Sequence, residues 1–141
     1  MKKITKNEKE TFELAHDLGG KIKKKTVFAL KGDLGTGKTV FAKGLAKGLG
    51  VKKTITSPTF VLMKIYPIEG NKHIKEFCHI DTYRLKGEKD FEAIGAEEYL
   101  NKKDVVVAIE WPDKIKNLLP KDAKLVKLKH EKEEKRQIEI K

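Results

Sequence analysis

The sequence predicts an α/β fold: a single domain in which a central sheet, mixed parallel and antiparallel, is flanked by helices. Three features predict it. A strand-like run, Thr26-Val27-Phe28-Ala29-Leu30, passes through a glycine-rich loop straight into a helix-like segment. A second run, Val105-Val106-Val107-Ala108-Ile109, is apolar without alternation, which suits a strand covered on both faces. Between them, two β-prone runs are joined by a short turn where a parallel sheet would need a crossover helix, so they read as an antiparallel hairpin. The length of 141 residues fits one domain, 1–141, with enough chain to bury a real core.

In chain order, Thr5-Lys6-Asn7-Glu8 fits a capping box, and Phe12, Leu14, Ala15 and Leu18 follow at near-helical spacing until Gly19-Gly20. A first helix is expected there. After the strand comes Gly32-Asp33-Leu34-Gly35-Thr36-Gly37-Lys38-Thr39, a complete Gly-x-x-x-x-Gly-Lys-Thr phosphate-binding loop, and then a helix that closes near Gly48-Leu49-Gly50. A polar link delivers Ser57-Pro58-Thr59-Phe60, where the proline demands extended backbone. The hairpin is expected from residues 59–66 and 73–81, with Gly70-Asn71 as its turn signal. Asp90 is placed to cap a helix over 91–100. The apolar strand then ends in Glu110-Trp111, Pro112 suits the first turn of a short helix that stops before Pro120, and 124–129 and 136–140 alternate as a closing antiparallel pair.

The formal charge is +11, carried almost wholly by lysine; the arginines are Arg84 and Arg136. Such a balance favours nucleic acid or an acidic partner surface, though scattered lysine also suits any solvated face. The single cysteine, Cys78, excludes an internal disulfide and reads as a small buried side chain in a strand. No run approaches the roughly 18 to 20 apolar residues of a membrane span, and Met1-Lys2-Lys3-Ile4-Thr5-Lys6 leads into charge, so a soluble cytoplasmic protein is expected.

The loop supplies the chemistry. Its glycines bring backbone N–H groups against an anion, and the following helix adds its positive end. Lys38 is expected to reach the β- and γ-phosphates and the Thr39 hydroxyl to ligate Mg²⁺. Opposite Thr39 such a site needs an acidic residue at the end of a central strand, and Glu110 meets that description, as a metal ligand, as the group that orients the attacking water, or as both. Asp81, closing the hairpin, is the second acidic candidate. With Ser57 or Thr59 it would build the γ-phosphate side, or else it caps its own turn. His79, on the same strand face, is expected to be structural or interfacial, and Trp111 to pack over the metal site, form a partner surface or belong to the core. Asn101-Lys102-Lys103-Asp104 imitates a guanine-reading motif but precedes its strand instead of following it, which favours ATP.

Taken together, Gly32 to Thr39, Ser57-Pro58-Thr59-Phe60, His79-Ile80-Asp81-Thr82-Tyr83-Arg84 and Glu110-Trp111-Pro112 resemble, in this order, the TsaE (YjeE) family of bacterial ATPases. The resemblance implies a P-loop NTPase-like domain that hydrolyses ATP with Mg²⁺ during synthesis of threonylcarbamoyladenosine in tRNA. The partners it implies are the TsaB and TsaD proteins, with tRNA reached indirectly through their complex. By position, Gly35, Thr36, Gly37, Lys38 and Thr39 would hold phosphates, Thr39 and Glu110 the metal, and Asp81 and Trp111 would serve activity together with Lys38. Thr11 would lie near the adenine or ribose, and Arg136 would be the family's C-terminal arginine at the nucleotide. With no evident arginine finger in a mobile loop, intrinsic turnover is expected to be slow and stimulated by partners. Two other readings share some of these features: a small-molecule kinase, for which the chain shows no lid or acceptor pocket, and a lysine-rich RNA-binding protein with a structural nucleotide.

Overall fold

The computed structural model describes residues 1–56 and 62–141. Strand β2, Thr26–Lys31, lies at the middle of the sheet because four consecutive positions are buried and both its edges are paired. On one side it runs parallel to β5, Val105–Glu110, with Leu30 opposite Glu110. On the other it runs parallel to β6, Lys124–His130. All six positions of β5 are buried, which explains the unbroken apolar run of its first five residues, Val105 to Ile109.

The remaining strands are β1, Lys2–Thr5; β3, Met63–Pro67; β4, Glu76–Asp81; and β7, Arg136–Ile140. The seven-stranded order is β1-β7-β6-β2-β5-β4-β3. β4 is parallel to β5, whereas β3 pairs antiparallel with β4, and β7 with both β6 and β1. The expected hairpin and the closing pair are therefore present, each flanking a parallel centre. Asn71 shapes the hairpin turn by accepting from the N–H groups of His73 and Ile74, and its side-chain amide donates to Leu49 O.

Helix α1, Glu8–Gly20, and helix α2, Lys38–Leu49, cover one face of the sheet. Thr11, Ala15 and Gly19 form the buried stripe of α1, and Phe41, Leu45 and Leu49 lie within that of α2. Each large apolar side chain buried here contributes about 1.5–3 kcal/mol relative to exposure. The other face carries α3, Glu88–Ala93, α4, Glu97–Asn101, and a 3₁₀ segment, Pro112–Leu118. Alternation along the strands feeds two cores: Phe28, Phe77, Val106 and Ala108 toward α1 and α2, and Val27, Cys78, Ile80, Val107 and Ile109 toward the shorter helices.

Three local expectations are corrected. The N-cap of α1 is Asn7, whose Oδ1 accepts from Glu10 N, while Glu10 Oε1 accepts from Lys6 N. The capping box therefore begins two residues later than Thr5, which is the last residue of β1. That strand has no sequence signature of its own, since three of its four residues are exposed and it exists through pairing with β7. The helix expected over 91–100 is two helices, because Gly95 takes φ +76° between them. Asp90 does not cap it; it sits inside α3 and accepts from Lys86 N.

Candidate nucleotide site at the carboxyl ends of three strands

β2, β5 and β4 end side by side, with Leu30 opposite Glu110 and Glu110 opposite Asp81. The residues that follow β2 wrap into the loop and return as α2 beneath it. Gly35 and Gly37 take φ of +80° and +98°, a left-handed conformation that side chains with a Cβ rarely adopt. The loop is also tied internally. Thr36 Oγ1 donates to Asp33 O at 2.8 Å, and Arg136, at the start of β7, donates from Nη2 to Gly35 O at 3.0 Å.

Lys38 is almost wholly buried, and its Nζ donates to Gly32 O at 2.5 Å and Asp33 O at 3.0 Å. The same ammonium lies 4.0 Å from the centre of the Trp111 ring. Burial pushes its pKa down; Glu110, Asp81 and Asp33 oppose the shift. Thr39, one residue on, donates from Oγ1 toward both carboxylate oxygens of Glu110, each at 3.2 Å. Glu110 is buried, and its Oε2 also lies 2.7 Å from Nε2 of the fully buried His79.

Asp81 faces the same cleft with Glu110, Lys38 and Thr39. Its Oδ1 accepts from Tyr83 N at 2.9 Å, so the turn-capping role is realised while the carboxylate still borders the site. Burial raises its pKa, the Tyr83 N–H lowers it, Glu110 raises it, and His79 and Lys38 lower it. Trp111 takes φ +62° and ψ +55°, and Thr82, fully buried, holds the chain there: its hydroxyl donates to Glu110 O at 3.0 Å and to Trp111 O. Tyr83 packs on the Trp111 ring at 5.1 Å.

Among the described residues, three clefts border the loop. One of about 410 Å³ is lined by Lys38, Thr39, Asp81, Arg84, Glu110 and Trp111 among others. A second, about 250 Å³, lies over Gly37 between Asn7, Thr11, Val40, Glu134 and Arg136. The third, about 820 Å³, opens on the outer side of the loop toward Lys127, Lys129 and His130. Thr11 thus reaches the second cleft, but its hydroxyl is engaged by Thr5 Oγ1 at 2.7 Å, and a Cβ on Gly37 would meet its methyl group. Ser57 and Thr59 lie outside the described residues. Asn101–Asp104 sits at the opposite end of β5 from Glu110, as its place in the sequence requires.

The structure therefore brings together Gly35, Thr36, Gly37, Lys38, Thr39, Asp81, Glu110, Trp111 and Arg136. His79 was expected to be structural or interfacial; it is fully buried, which removes the interfacial role, and it bonds to Glu110. Thr82 lies within the His79 to Arg84 stretch, but the sequence assigns it no role of its own. The sequence signals for His79 are its place at the head of the His79 to Arg84 stretch and its two-residue spacing from Asp81 on a strand that ends level with Glu110.

Among the described residues no group of three or more His, Cys, Asp or Glu side chains forms a metal cage. The donor set at the loop is instead one hydroxyl and one carboxylate, both hard oxygen ligands, which fits Mg²⁺ held largely by phosphate and water.

Residues 5–138 match the family model described as "Threonylcarbamoyl adenosine biosynthesis protein TsaE". A tRNA threonylcarbamoyladenosine biosynthesis protein TsaE of Bacillus subtilis is 35% identical over 134 residues, covering 95% of this chain and 80% of that protein. Proteins of the same name from Borreliella burgdorferi and Treponema pallidum are 43% and 38% identical, covering 68% and 85% of this chain and 66% and 84% of theirs. The crystal structure of YdiB from Bacillus subtilis superposes with a TM-score of 0.77 at 30% identity, covering 98% of this chain and 82% of that one.

Proposed function

The chain belongs to the TsaE family of threonylcarbamoyladenosine biosynthesis proteins, and from that premise we propose that it is a Mg²⁺-dependent ATPase. It serves as an accessory subunit for tRNA modification, acts on a TsaB–TsaD complex in the cytoplasm, and turns over slowly until those partners engage it. The observation that carries this reading is the meeting of the Thr39 hydroxyl with the Glu110 carboxylate at the mouth of a phosphate-binding loop, 71 residues apart in sequence.

In this reading the amides of Gly35 to Thr39 bind the β- and γ-phosphates, with the Lys38 ammonium held over them by Gly32 O and Asp33 O. Thr39 and Glu110 would hold Mg²⁺, which when bound supplies positive charge to the phosphate oxygens. Asp81, or Glu110, orients the attacking water. Trp111 and Tyr83 wall the cleft, and Arg136 fixes the loop at Gly35 while bordering the cleft over Gly37 that Thr11 also lines, which would take the adenine and ribose.

The test is ATP hydrolysis by wild type and Lys38→Ala, each with and without TsaB–TsaD. Wild type is expected to be slow alone and faster with both partners, and Lys38→Ala to lose roughly 100-fold or more in turnover. Equal wild-type rates with and without partners would remove the partner-stimulated role. A Lys38→Ala rate matching wild type would remove the loop from catalysis.

A further inference from the structure

His79 is an unusual residue to find where it is. Its side chain has no solvent exposure, it lies one strand away from Glu110, and only one of its ring nitrogens has a partner among the described residues. That partner is Glu110 Oε2 at 2.7 Å; Nδ1 has none. A carboxylate only accepts, so Nε2 carries the hydrogen in this contact. The arrangement leaves Nδ1 without a partner among the described residues, and a buried unsatisfied polar atom is a cost to stability. A leucine would fill the same space against Phe77, whose ring centre lies 6.3 Å away, without that cost.

The other partner of Glu110 explains what the histidine does. A glutamate side chain has three rotatable bonds, yet this one must present its oxygens to Thr39 Oγ1, and it does so with both at 3.2 Å. His79 reaches Oε2 from β4 because His79 pairs with Ala108 and Asp81 with Glu110, which puts the imidazole two residue pairs below the carboxylate and so on the same face.

We propose that His79 is a positioning residue: its Nε2 hydrogen bond fixes the Glu110 carboxylate against Thr39 and thereby sets the affinity for the divalent cation that this pair holds. The proposal rests on the reading of Thr39 and Glu110 as Mg²⁺ donors. Hydrogen-bond partners of metal ligands commonly set affinity in this way, and their loss weakens binding by about 10–100-fold.

The experiment is a titration of the full chain with Mn²⁺ in the presence of a non-hydrolysable ATP analogue, read by electron paramagnetic resonance, for wild type, His79→Gln, His79→Asn and Glu110→Ala. A Gln amide reaches the Nε2 position and an Asn amide does not. His79→Asn is expected to weaken Mn²⁺ binding about 10–100-fold, His79→Gln to recover most of it, and metal-free binding of the analogue to stay the same in both. A merely structural histidine would lower the melting temperature in both variants and leave Mn²⁺ affinity per folded molecule unchanged, which would overturn the proposal.

Glu110→Ala separates the two readings. Wild-type Mn²⁺ affinity in Glu110→Ala would remove the donor assignment and the proposal with it. Weak binding there, alongside wild-type affinity in His79→Asn, would remove the proposal alone. If the His79 variants do not fold, wild type itself decides by ¹⁵N NMR of its histidines. A hydrogen on Nε2 whose resonance moves when Mg²⁺ and the analogue bind supports the proposal; a hydrogen on Nδ1, or an unmoved resonance, overturns it.

Discussion

On one face of the sheet, α1 and α2 run for 13 and 12 residues and pack against each other through glycine; on the other, α3, α4 and the 3₁₀ segment have 6, 5 and 7 residues. The first pair is nearly in backbone contact. A Cβ on Gly48 would lie 2.1 Å from His16 O, one on Gly44 2.4 Å from Phe12 O, and one on Gly19 2.4 Å from Leu45 O. The second face is held by apolar side chains from short pieces, chiefly Phe91, Leu100 and Ile115, each fully buried. Helices of that length have almost no stability of their own and depend on those anchors.

The difference bears on where chemistry is placed. Lys38 and Thr39 begin α2, and His79, Asp81 and Glu110 point to the same face. Groups that must hold angstrom-scale geometry therefore stand on the tightly seamed side. The opposite face supplies hydrophobic support beneath β4 and β5 and contributes no polar group to the contacts among Thr39, His79 and Glu110.

Breaking the seam should have the largest effect. Gly48→Ala forces a methyl group into backbone that cannot move aside, and a loss of about 3 kcal/mol is expected, with a fall in melting temperature of roughly 10 °C. Gly20→Ala is the control, since its Cβ would meet only Gly48 O at 3.8 Å and the change should stay within about 0.5 kcal/mol. Matching melting curves for the two variants would show that the seam yields.

A smaller effect is expected at Asp81, where fold and site make opposite demands. Burial holds its carboxyl above the ordinary range, so the folded protein binds that proton more tightly than the unfolded chain does. Ionised Asp81 therefore lowers stability at neutral pH, and this penalty disappears as pH falls through the raised value toward the usual carboxylate value of about 4. Asp81→Asn keeps the acceptor for Tyr83 N and removes the charge. It should melt a few degrees higher than wild type at neutral pH, converge with it in acid, and lose ATP turnover if the proposed function holds. Lower stability than wild type at pH 7 would mean that the charge is a net asset to the fold.

The gentlest probe perturbs nothing. Cys78 lies in the core beneath the short helices, and burial pushes its thiol up to about 12. The native thiol should resist modification at neutral pH, and its slow labelling should report opening of that face. Labelling is expected to be faster than amide exchange in the buried turns of α2. The reverse order would make the short-helix face the firmer one.

Much of this was legible in the residues. The phosphate loop, the strand before it and the helix after it are contiguous, so local chemistry defines them; the unbroken apolar run of β5 and the turn at Gly70-Asn71 are equally local. The misread features depend on partners elsewhere. β1 is a strand only because β7 lies beside it, the N-cap passed from Thr5 to Asn7 because Thr5 belongs to that strand, and the helix over 91–100 divided where Gly95 turned left-handed.

The sequence by itself determined the Gly-x-x-x-x-Gly-Lys-Thr loop, the carboxylates available to it and the family to which the chain belongs, because each is written in consecutive residues or in their order. Tertiary structure alone decided that β4 and β5 lie parallel with Asp81 level with Glu110. Strand register has a period of two, so a slip of one residue would have turned His79 away from Glu110 and into the opposite core. That register made an apparently structural histidine the neighbour of the carboxylate at the loop.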